Sequence, residues 1–166
     1  MRNTKPPTVS VVIPCYNSDK FVEDAVLSAL NQTYPVDKIV CIDDGSTDNT
    51  GAILSRLAEI YDRVTVLSQS NQGPASARNK GIRCCTSEYI QFLDADDILL
   101  PDKIKNQATL IQKSDWPDIV IGSYTVVDAN DGKREDIVIE VVDVWKSLVD
   151  VKMGTMCSNM FKKAAL

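Results

Sequence analysis

Short apolar runs alternate with amphipathic stretches along the chain. The mainly apolar runs predict buried strands at Val9–Cys15, Ile39–Ile42, Val64–Leu67, Tyr89–Leu93 and Ile119–Tyr124. Apolar residues at helical spacing predict helices at Phe21–Gln32, Thr50–Tyr61 and Ala75–Cys84, and Pro101 suits the first turn of a fourth helix that runs to about Gln112. This alternation predicts an α/β fold with a mainly parallel sheet that is flanked by helices on both faces.

The second half of the chain adds a different pattern. The turn sequence Asn130-Asp131-Gly132 separates the runs Ile119–Val127 and Ile137–Val142, which predicts a β-hairpin appended near the edge of the sheet. A length of 166 residues suits one domain, so we expect residues 1–7 to be a tail and residues 8–166 to be a single domain. The final stretch Lys162–Leu166 has neither a helix stop nor a return to the sheet, and we expect the domain to be interrupted there.

Composition and charge exclude several classes of protein. A net charge of −5 argues against a nucleic-acid binder, whose surface is basic. No apolar run reaches the ~18 residues of a membrane span, and Met1–Pro7 lacks the apolar segment of a signal peptide. Five cysteines without zinc-type spacing indicate a reduced, cytoplasmic chain. The absence of histidine excludes Ser–His–Asp and Cys–His hydrolysis, so any metal would be held by oxygen ligands or thiolates.

Unusual polar clusters follow three of the predicted strands. The segment from Pro14 to Asn17 ends the first strand, Asp43–Asp48 ends the second, and Asp94–Asp97 ends the fourth. In open α/β sheets, ligands bind outside the carboxyl ends of the strands, where the strand order reverses. We therefore expect the three clusters to converge on one crevice.

The third cluster, Asp94-Ala95-Asp96-Asp97, contains a D-x-D sequence directly after a buried strand. Three carboxylates this close repel one another unless a cation or hydrogen-bond donors neutralise them, and oxygen ligands suit Mg²⁺ or Mn²⁺. The alternative is that these acids only cap the following helix. Asp102 and Pro101 already suit that helix start, so we favour the metal site.

The first two clusters have the chemistry of a nucleotide site. One acid at the end of the second strand must face the crevice, where it could accept a hydrogen bond from a base or a ribose. Tyr16 offers a ring for stacking, and Asn17 offers a donor and an acceptor. The alternative is that both clusters are ordinary turns, in which Ser46 or Asp48 caps the helix from Thr50.

A further stretch, Asn71–Asn79, opens the third helix with a Gly-Pro pair. The free backbone N–H groups of a helix start can hold an anion, and Arg78, one turn in, could reach a base or a phosphate. The alternative is a solvated arginine that pairs with an acid. Neither the Rossmann fingerprint nor a P-loop follows any predicted strand, so dinucleotide binding and ATP hydrolysis have no support.

These residues resemble family 2 glycosyltransferases, inverting enzymes with the GT-A fold. The resemblance covers about residues 8 to 125 closely and the rest more loosely, and it rests on four motifs in the family's order and spacing: Pro14-x-Tyr16-Asn17, Ile42–Asp48, Asn71-x-Gly73-x4-Arg78-Asn79-x-Gly81 and Leu93–Asp97. The resemblance implies a GT-A domain whose Rossmann-like half binds the nucleotide.

The resemblance also implies roles for individual residues. Asp44 matches the residue that recognises the base in members that use uridine nucleotides, whereas Asp43 is structural. Tyr16 and the backbone near Pro14 match base and ribose contacts, with Asn17 beside them, and Arg78 approaches the same nucleotide. Asp96 matches the direct metal ligand, and Asp94 lies nearer the ribose or a metal-bound water.

The implied activity is transfer of a sugar, with inversion, from a nucleotide-diphosphate sugar (a UDP-sugar) to a hydroxyl of a carbohydrate or lipid-linked acceptor, with Mn²⁺ or Mg²⁺ as cofactor. Polysaccharide, lipopolysaccharide or capsule synthesis is the expected setting, in the cytoplasm, with the full-length enzyme at the inner face of the membrane.

The family's catalytic base is an acid after the segment Thr155–Phe161, so we expect it after Leu166, on an acceptor side that this chain lacks. We therefore expect donor binding without transfer. Two alternatives stay open: a nucleotide-sugar-binding module without catalysis, and a sugar nucleotidyltransferase, although the latter's Gly-rich loop is missing after the first strand.

Overall fold

A six-stranded, mostly parallel sheet forms the centre of the computed structural model, which describes residues 5–114, 116–127, 132–138 and 156–166. The strands are β1 (Val9–Cys15), β2 (Lys38–Asp43), β3 (Val64–Ser68), β4 (Tyr89–Phe92), β5 (Ile119–Val120), β6 (Tyr124–Val127), β7 (Arg134–Ile137) and β8 (Met160–Lys162). The order across the sheet is β3-β2-β1-β4-β8-β5, and β6 pairs with β7 in a separate two-stranded sheet. The first four strands are parallel, whereas β8 runs antiparallel between β4 and β5.

The described residues form four α-helices, which cover the two faces of the sheet: α1 (Val22–Leu30), α2 (Thr50–Ile60), α3 (Pro74–Cys84) and α4 (Lys103–Lys113). The alternating side chains of β1 separate two cores, with Val11 and Ile13 in one and Val12 in the other. Buried residues of α1, α2 and α4 belong to the first core, whereas Ala77 of α3 belongs to the second. The α/β fold with helices on both faces, predicted from the apolar pattern, is confirmed.

Helix α3 packs against the sheet at very short range. A Cβ added to Gly81 would lie 2.4 Å from Val12 Cγ1 and 2.8 Å from Ile42 Cδ1, so only glycine fits this position without a shift. The close approach brings the start of α3 over the ends of β1 and β2. Gly81 therefore sets the distance between the helix that carries Arg78 and the strands that carry the acids.

Two predictions about the second half of the chain are wrong in detail. The run Ile119–Tyr124 is not one strand, because β5 ends at Val120 and Tyr124 begins β6. The chain also returns to the sheet near its end, since β8 pairs with both β4 and β5 and buries Met160. A strand of three residues with lysine at its end has no apolar run to signal it. The fourth helix begins at Lys103, after a turn that contains Pro101.

The predicted hairpin is confirmed in β6 and β7, where Tyr124 lies opposite Ile137 and Val127 opposite Arg134. Its second strand begins at Arg134, earlier than the predicted Ile137. Of the predicted turn, Asn130 and Asp131 lie outside the described residues, as does the run after Val138. All five cysteines are free. Within the described ranges, no helix combines the length and the apolarity that a membrane span requires.

Candidate functional site

The carboxyl ends of β1, β2 and β4 lie side by side because the strand order places β1 between the other two. Backbone hydrogen bonds join the segments that follow β2 and β4 to β1 itself: Asp44 N donates to Cys15 O at 2.8 Å, and Leu93 N donates to Val12 O at 3.0 Å. The chain order reverses at β1, since β2 and β3 extend the sheet on one side and β4 on the other. The polar clusters therefore share the crevice that this reversal creates.

The loop after β1 is bound to the loop after β2 through Asn17. Its Oδ1 accepts from Thr47 N at 2.8 Å, and its backbone N–H donates to Ser46 Oγ at 3.1 Å. Asn17 adopts φ 47°, a left-handed conformation that asparagine tolerates better than most residues. Tyr16, the neighbouring residue, is 49% exposed, so its ring is available for stacking.

The loop after β2 also forms the turn that the sequence offered as the alternative to a nucleotide site. Asp43 Oδ1 accepts from Ser46 N at 2.9 Å, and Asp48 Oδ1 accepts from Thr50 N at 2.9 Å at the start of α2. Asp48, rather than Ser46, therefore supports this helix start. The turn interpretation accounts for Asp43 and Asp48 but leaves the buried Asp44 to be explained.

Asp44 is 3% exposed and binds the segment that leads into α3. Its carboxylate accepts from Gln69 Nε2 at 2.8 Å, from Gln72 N at 2.9 Å and from Gly73 N at 2.8 Å. Burial alone would raise the pKa of Asp44, but these three donors hold it below its usual value. The side chain is therefore a charged anchor for the segment before α3, a role that the sequence did not reveal. Base recognition by Asp44 stays a prediction.

Gly45 allows the same two segments to approach each other. It adopts φ 74°, and a Cβ there would lie 2.8 Å from Asn71 N. A side chain at this position would both strain the backbone and push the Asn71 segment away. Gly45 is thus the residue that lets Asp44 reach its donors.

Arg78 extends from α3 to the end of β4. Its Nη2 lies 2.5 Å from Asp94 Oδ1, and the two side chains are 20% and 37% exposed. The Nε of Arg78 is buried and has no hydrogen-bond partner among the described residues. The structure thus contains the arginine–acid pair that was the alternative for Arg78, but the pair lies inside the crevice. The unpaired, buried N–H of Arg78 there favours an incoming hydrogen-bond acceptor.

The acids after β4 meet a residue from the end of the chain. One ligand atom from each of Asp94, Asp97 and Cys157 lies within 4.8 Å of the others, and Asp94 N donates to Cys157 Sγ at 3.1 Å. We call these three residues the acidic cluster. Asp96 is exposed and, within the described ranges, lies outside this cluster, so its role as a direct metal ligand stays a prediction. Sequence reasoning missed Cys157 because it arrives from a distant 3-10 turn, Met156–Ser158.

The electrostatics of the acidic cluster suit a cation. Asp97 is exposed as a residue, but partial desolvation of its carboxyl, followed by repulsion from Asp96 and Asp94, raises its pKa, although a hydrogen bond with Cys157 opposes the rise. Burial, and then the hydrogen bond with Asp97, raise the pKa of the Cys157 thiol, so the sulfur stays protonated. A hard divalent cation would relieve the carboxylate repulsion, and carboxylate oxygens are the ligands that Mg²⁺ and Mn²⁺ prefer. The carboxylate oxygens of Asp94 and Asp97 therefore fit such an ion.

Comparison with known proteins gives one family. The model described as "Glycosyl transferase family 2" matches residues 10–153. The glycosyltransferase GlyG of Streptococcus pneumoniae serotype 4 is 42% identical over 125 residues, which are 75% of this chain and 41% of that protein. The chondroitin synthase of Escherichia coli is 48% identical over 100 residues, which are 60% of this chain and 14% of that protein. The chain thus spans less than half the length of either relative.

Solved structures share the fold. TarS residues 1–349 of S. aureus, in complex with UDP-GlcNAc, superpose with a TM-score of 0.77 at 22% identity, covering 95% of this chain and 46% of that one. The mannosyltransferase PcManGT of Pyrobaculum calidifontis, in complex with GDP-Man and Mn²⁺, gives a TM-score of 0.60 at 28% identity, covering 77% of this chain and 38% of that one. The GT-A architecture expected from the motifs is confirmed.

Proposed function

The chain belongs to glycosyl transferase family 2, and from this premise we propose that it binds a UDP-sugar in the crevice at the ends of β1, β2 and β4. The observation that carries the proposal is the convergence there of three features. These are the exposed ring of Tyr16, the Asp44-anchored segment before α3, and an arginine with an unpaired Nε beside two carboxylates. A nucleoside diphosphate has a planar base, a ribose and two phosphates, and each has a counterpart in this set.

The base and ribose belong at the β1 and β2 side of the crevice. Tyr16 stacks on the base, the backbone near Pro14 and the side chain of Asn17 line the ribose, and Asp44 accepts a hydrogen bond from the base. Because Asp44 already accepts three hydrogen bonds, its contact with the base uses remaining lone-pair capacity or replaces the side-chain donor of Gln69. The binding of UDP-GlcNAc by a protein of the same fold supports a uridine nucleotide.

The diphosphate belongs at the β4 side. Arg78 turns its unpaired Nε and part of its guanidinium toward a phosphate oxygen, where planar donors suit an oxyanion. Asp94, together with Asp96 or Asp97, would hold Mn²⁺ or Mg²⁺, which would neutralise charge on the leaving diphosphate. The Mn²⁺ in the mannosyltransferase of 28% identity supports a metal in this proposal.

The complete reaction is transfer of the sugar to a hydroxyl of a carbohydrate or lipid-linked acceptor with inversion. Such a transfer needs a general base, which we assign to an acid after Leu166, on the acceptor side that completes the single domain from residue 8. Polysaccharide, lipopolysaccharide or capsule synthesis at the cytoplasmic face of a membrane is the proposed setting. The similarity to a chondroitin synthase supports the polysaccharide part of this proposal. Family membership favours this transfer over nucleotidyl transfer.

A panel of nucleotides tests the donor assignment. Thermal unfolding of the chain is followed with UDP, GDP, CDP and ADP, each with Mn²⁺ and with chelator. Ligand that binds only the folded state raises the melting temperature, so UDP with Mn²⁺ should give the largest rise. Tyr16→Ala should reduce that rise for UDP. A larger rise with GDP would overturn the uridine assignment but not the site, whereas no rise with any nucleotide would overturn the site itself.

A further inference from the structure

Tyr16, Asp44 and Gln69 form one row across three neighbouring strands. The last residues of β1, β2 and β3 pair with one another in register, and the three residues of the row directly follow them. Backbone hydrogen bonds join the row, since Asp44 N donates to Cys15 O at 2.8 Å and Gln69 N donates to Asp43 O at 2.9 Å. Neighbouring strands lie about 4.8 Å apart, so the row spans roughly 10 Å. A base that stacks on Tyr16 therefore has room to lie along this row, which we call the base row.

Gln69 brings a hydrogen-bond donor to the base row, because Asp44 fixes the orientation of its amide. The side chain is half-buried, and its Nε2 donates to Asp44 Oδ1 at 2.8 Å. A carboxylate only accepts, so turning the amide over would set two acceptors against each other. The same Nε2 lies 3.3 Å from Ser76 Oγ, longer than an ordinary N–H···O bond. A better acceptor would therefore displace Ser76 and leave the bond to Asp44 intact.

The strand order sets the direction in which a base would lie. The proposed diphosphate lies at the β4 side and the ribose at the β1 side, so the base extends toward β2 and β3. In uracil the N3–H lies between two carbonyls, and O4 is the carbonyl farther from the ribose. The N3–H therefore meets Asp44, whose carboxylate already accepts three hydrogen bonds of the roughly four that it can accept. O4 then meets Gln69.

We propose that Gln69 selects uracil over cytosine by donating a hydrogen bond from Nε2 to O4 of the base. Cytosine has an amino group in place of O4 and a bare nitrogen at N3. It would therefore set a second donor against Gln69 and a second acceptor against Asp44, and groups left unpaired in this way cost affinity. The inference rests on the proposed function, and it adds a residue that reads position 4, where Asp44 reads only position 3.

The test is calorimetry of the whole chain with Mn²⁺ and four nucleotides: UDP, CDP, 4-thio-UDP and 2-thio-UDP. Sulfur is a weak acceptor, so the parent should bind 4-thio-UDP about threefold to tenfold more weakly than UDP. Gln69→Met should weaken UDP by a similar factor and abolish the difference between UDP and 4-thio-UDP. The penalty for 2-thio-UDP, whose sulfur lies beside the ribose, should be the same in both proteins. Gln112→Met, the same change at an exposed position of α4, is the control and should behave as the parent.

The ratios of affinity separate base selection from a merely structural role. If Gln69 only anchored Asp44, Gln69→Met would weaken all four nucleotides by the same factor, and unchanged ratios of UDP to CDP and to 4-thio-UDP would overturn the selecting role. The comparison in the parent needs no substitution, so equal affinity for UDP and 4-thio-UDP there would overturn that role even if Gln69→Met did not fold. Absence of UDP binding in the parent would instead overturn the donor site itself.

Discussion

Replacing Asp44 by asparagine turns a buried, charged carboxylate into a neutral amide, although its three hydrogen-bond partners are all donors. The three partners are Gln69 Nε2, Gln72 N and Gly73 N, at 2.8 to 2.9 Å. An asparagine keeps one acceptor oxygen but turns an NH₂ group toward at least one of these donors. A buried donor left without its acceptor costs about 1–3 kcal/mol. We therefore expect Asp44→Asn to lower the free energy of unfolding by roughly 2–3 kcal/mol at pH 7, and to loosen the segment before α3.

The stability cost of Asp44→Asn should depend on pH, in a direction that the lowered pKa of Asp44 determines. The folded-state pKa of Asp44 is lowered, so the stability that its charge contributes is present above the unfolded-state pKa and is lost as the pH falls through the folded-state pKa. The difference in the free energy of unfolding between the parent and Asp44→Asn should be constant from about pH 7 to pH 5 and should shrink below about pH 4. An asparagine cannot titrate, so the change must come from the parent.

Urea unfolding at several pH values measures both quantities, because the midpoint at constant slope reports stability. Asp62→Asn is the control, since Asp62 is an exposed acid at the far end of α2. A cost for Asp44→Asn no larger than that of Asp62→Asn would refute the anchoring role. A gap that stays the same between pH 7 and pH 4 and below would refute the charged state of the anchor. The variant's UDP affinity then reports base recognition separately, wherever the fold is intact.

Three further changes probe the crevice and its support. Gly81→Ala should destabilise the chain by roughly 1–3 kcal/mol in thermal or urea unfolding, because its Cβ would lie 2.4 Å from Val12 Cγ1; an unchanged midpoint would contradict this packing. Arg78→Lys keeps the charge but removes the planar donors, and we expect UDP affinity by calorimetry to fall about tenfold, whereas Arg83→Lys, exposed on the same helix, should not change it. Asp96→Asn should abolish the gain in UDP affinity from Mn²⁺; if Asp97→Asn abolishes the gain and Asp96→Asn does not, the acidic cluster itself holds the metal.

The parallel part of the fold could be predicted because each of its elements has a local signal. Strand β1 is an apolar run, apart from the buried Ser10, with the bounds the pattern indicated, and α1 buries Val22, Val26 and Ala29 at helical spacing. Strand β8 has no such signal, since it is three residues long and is stabilised by neighbours on both sides. Its position follows from tertiary pairing, which a local pattern does not encode.

The candidate site likewise contains residues that a local sequence pattern locates and residues that it does not. The acids at the strand ends could be located from sequence, because parallel strands bring their carboxyl ends to one edge. The donors that hold Asp44 include the backbone N–H groups of Gln72 and Gly73, and a backbone group leaves no mark on residue type. Cys157 reaches Asp94 from 63 residues away. Its contribution to the acidic cluster depends on β8, so missing that strand meant missing the cysteine as well.

The crevice at the ends of β1, β2 and β4 is expected to bind a nucleoside diphosphate with the help of a divalent cation. Isothermal titration of UDP into the chain, once with Mn²⁺ and once with chelator, is the direct test of this binding. We expect one site per chain and at least tenfold tighter binding with Mn²⁺, with the difference lost when Asp94 is replaced by asparagine. Equal affinity with and without the metal would contradict the cation role of the acids after β4, and no binding under either condition would contradict the crevice as a nucleotide site.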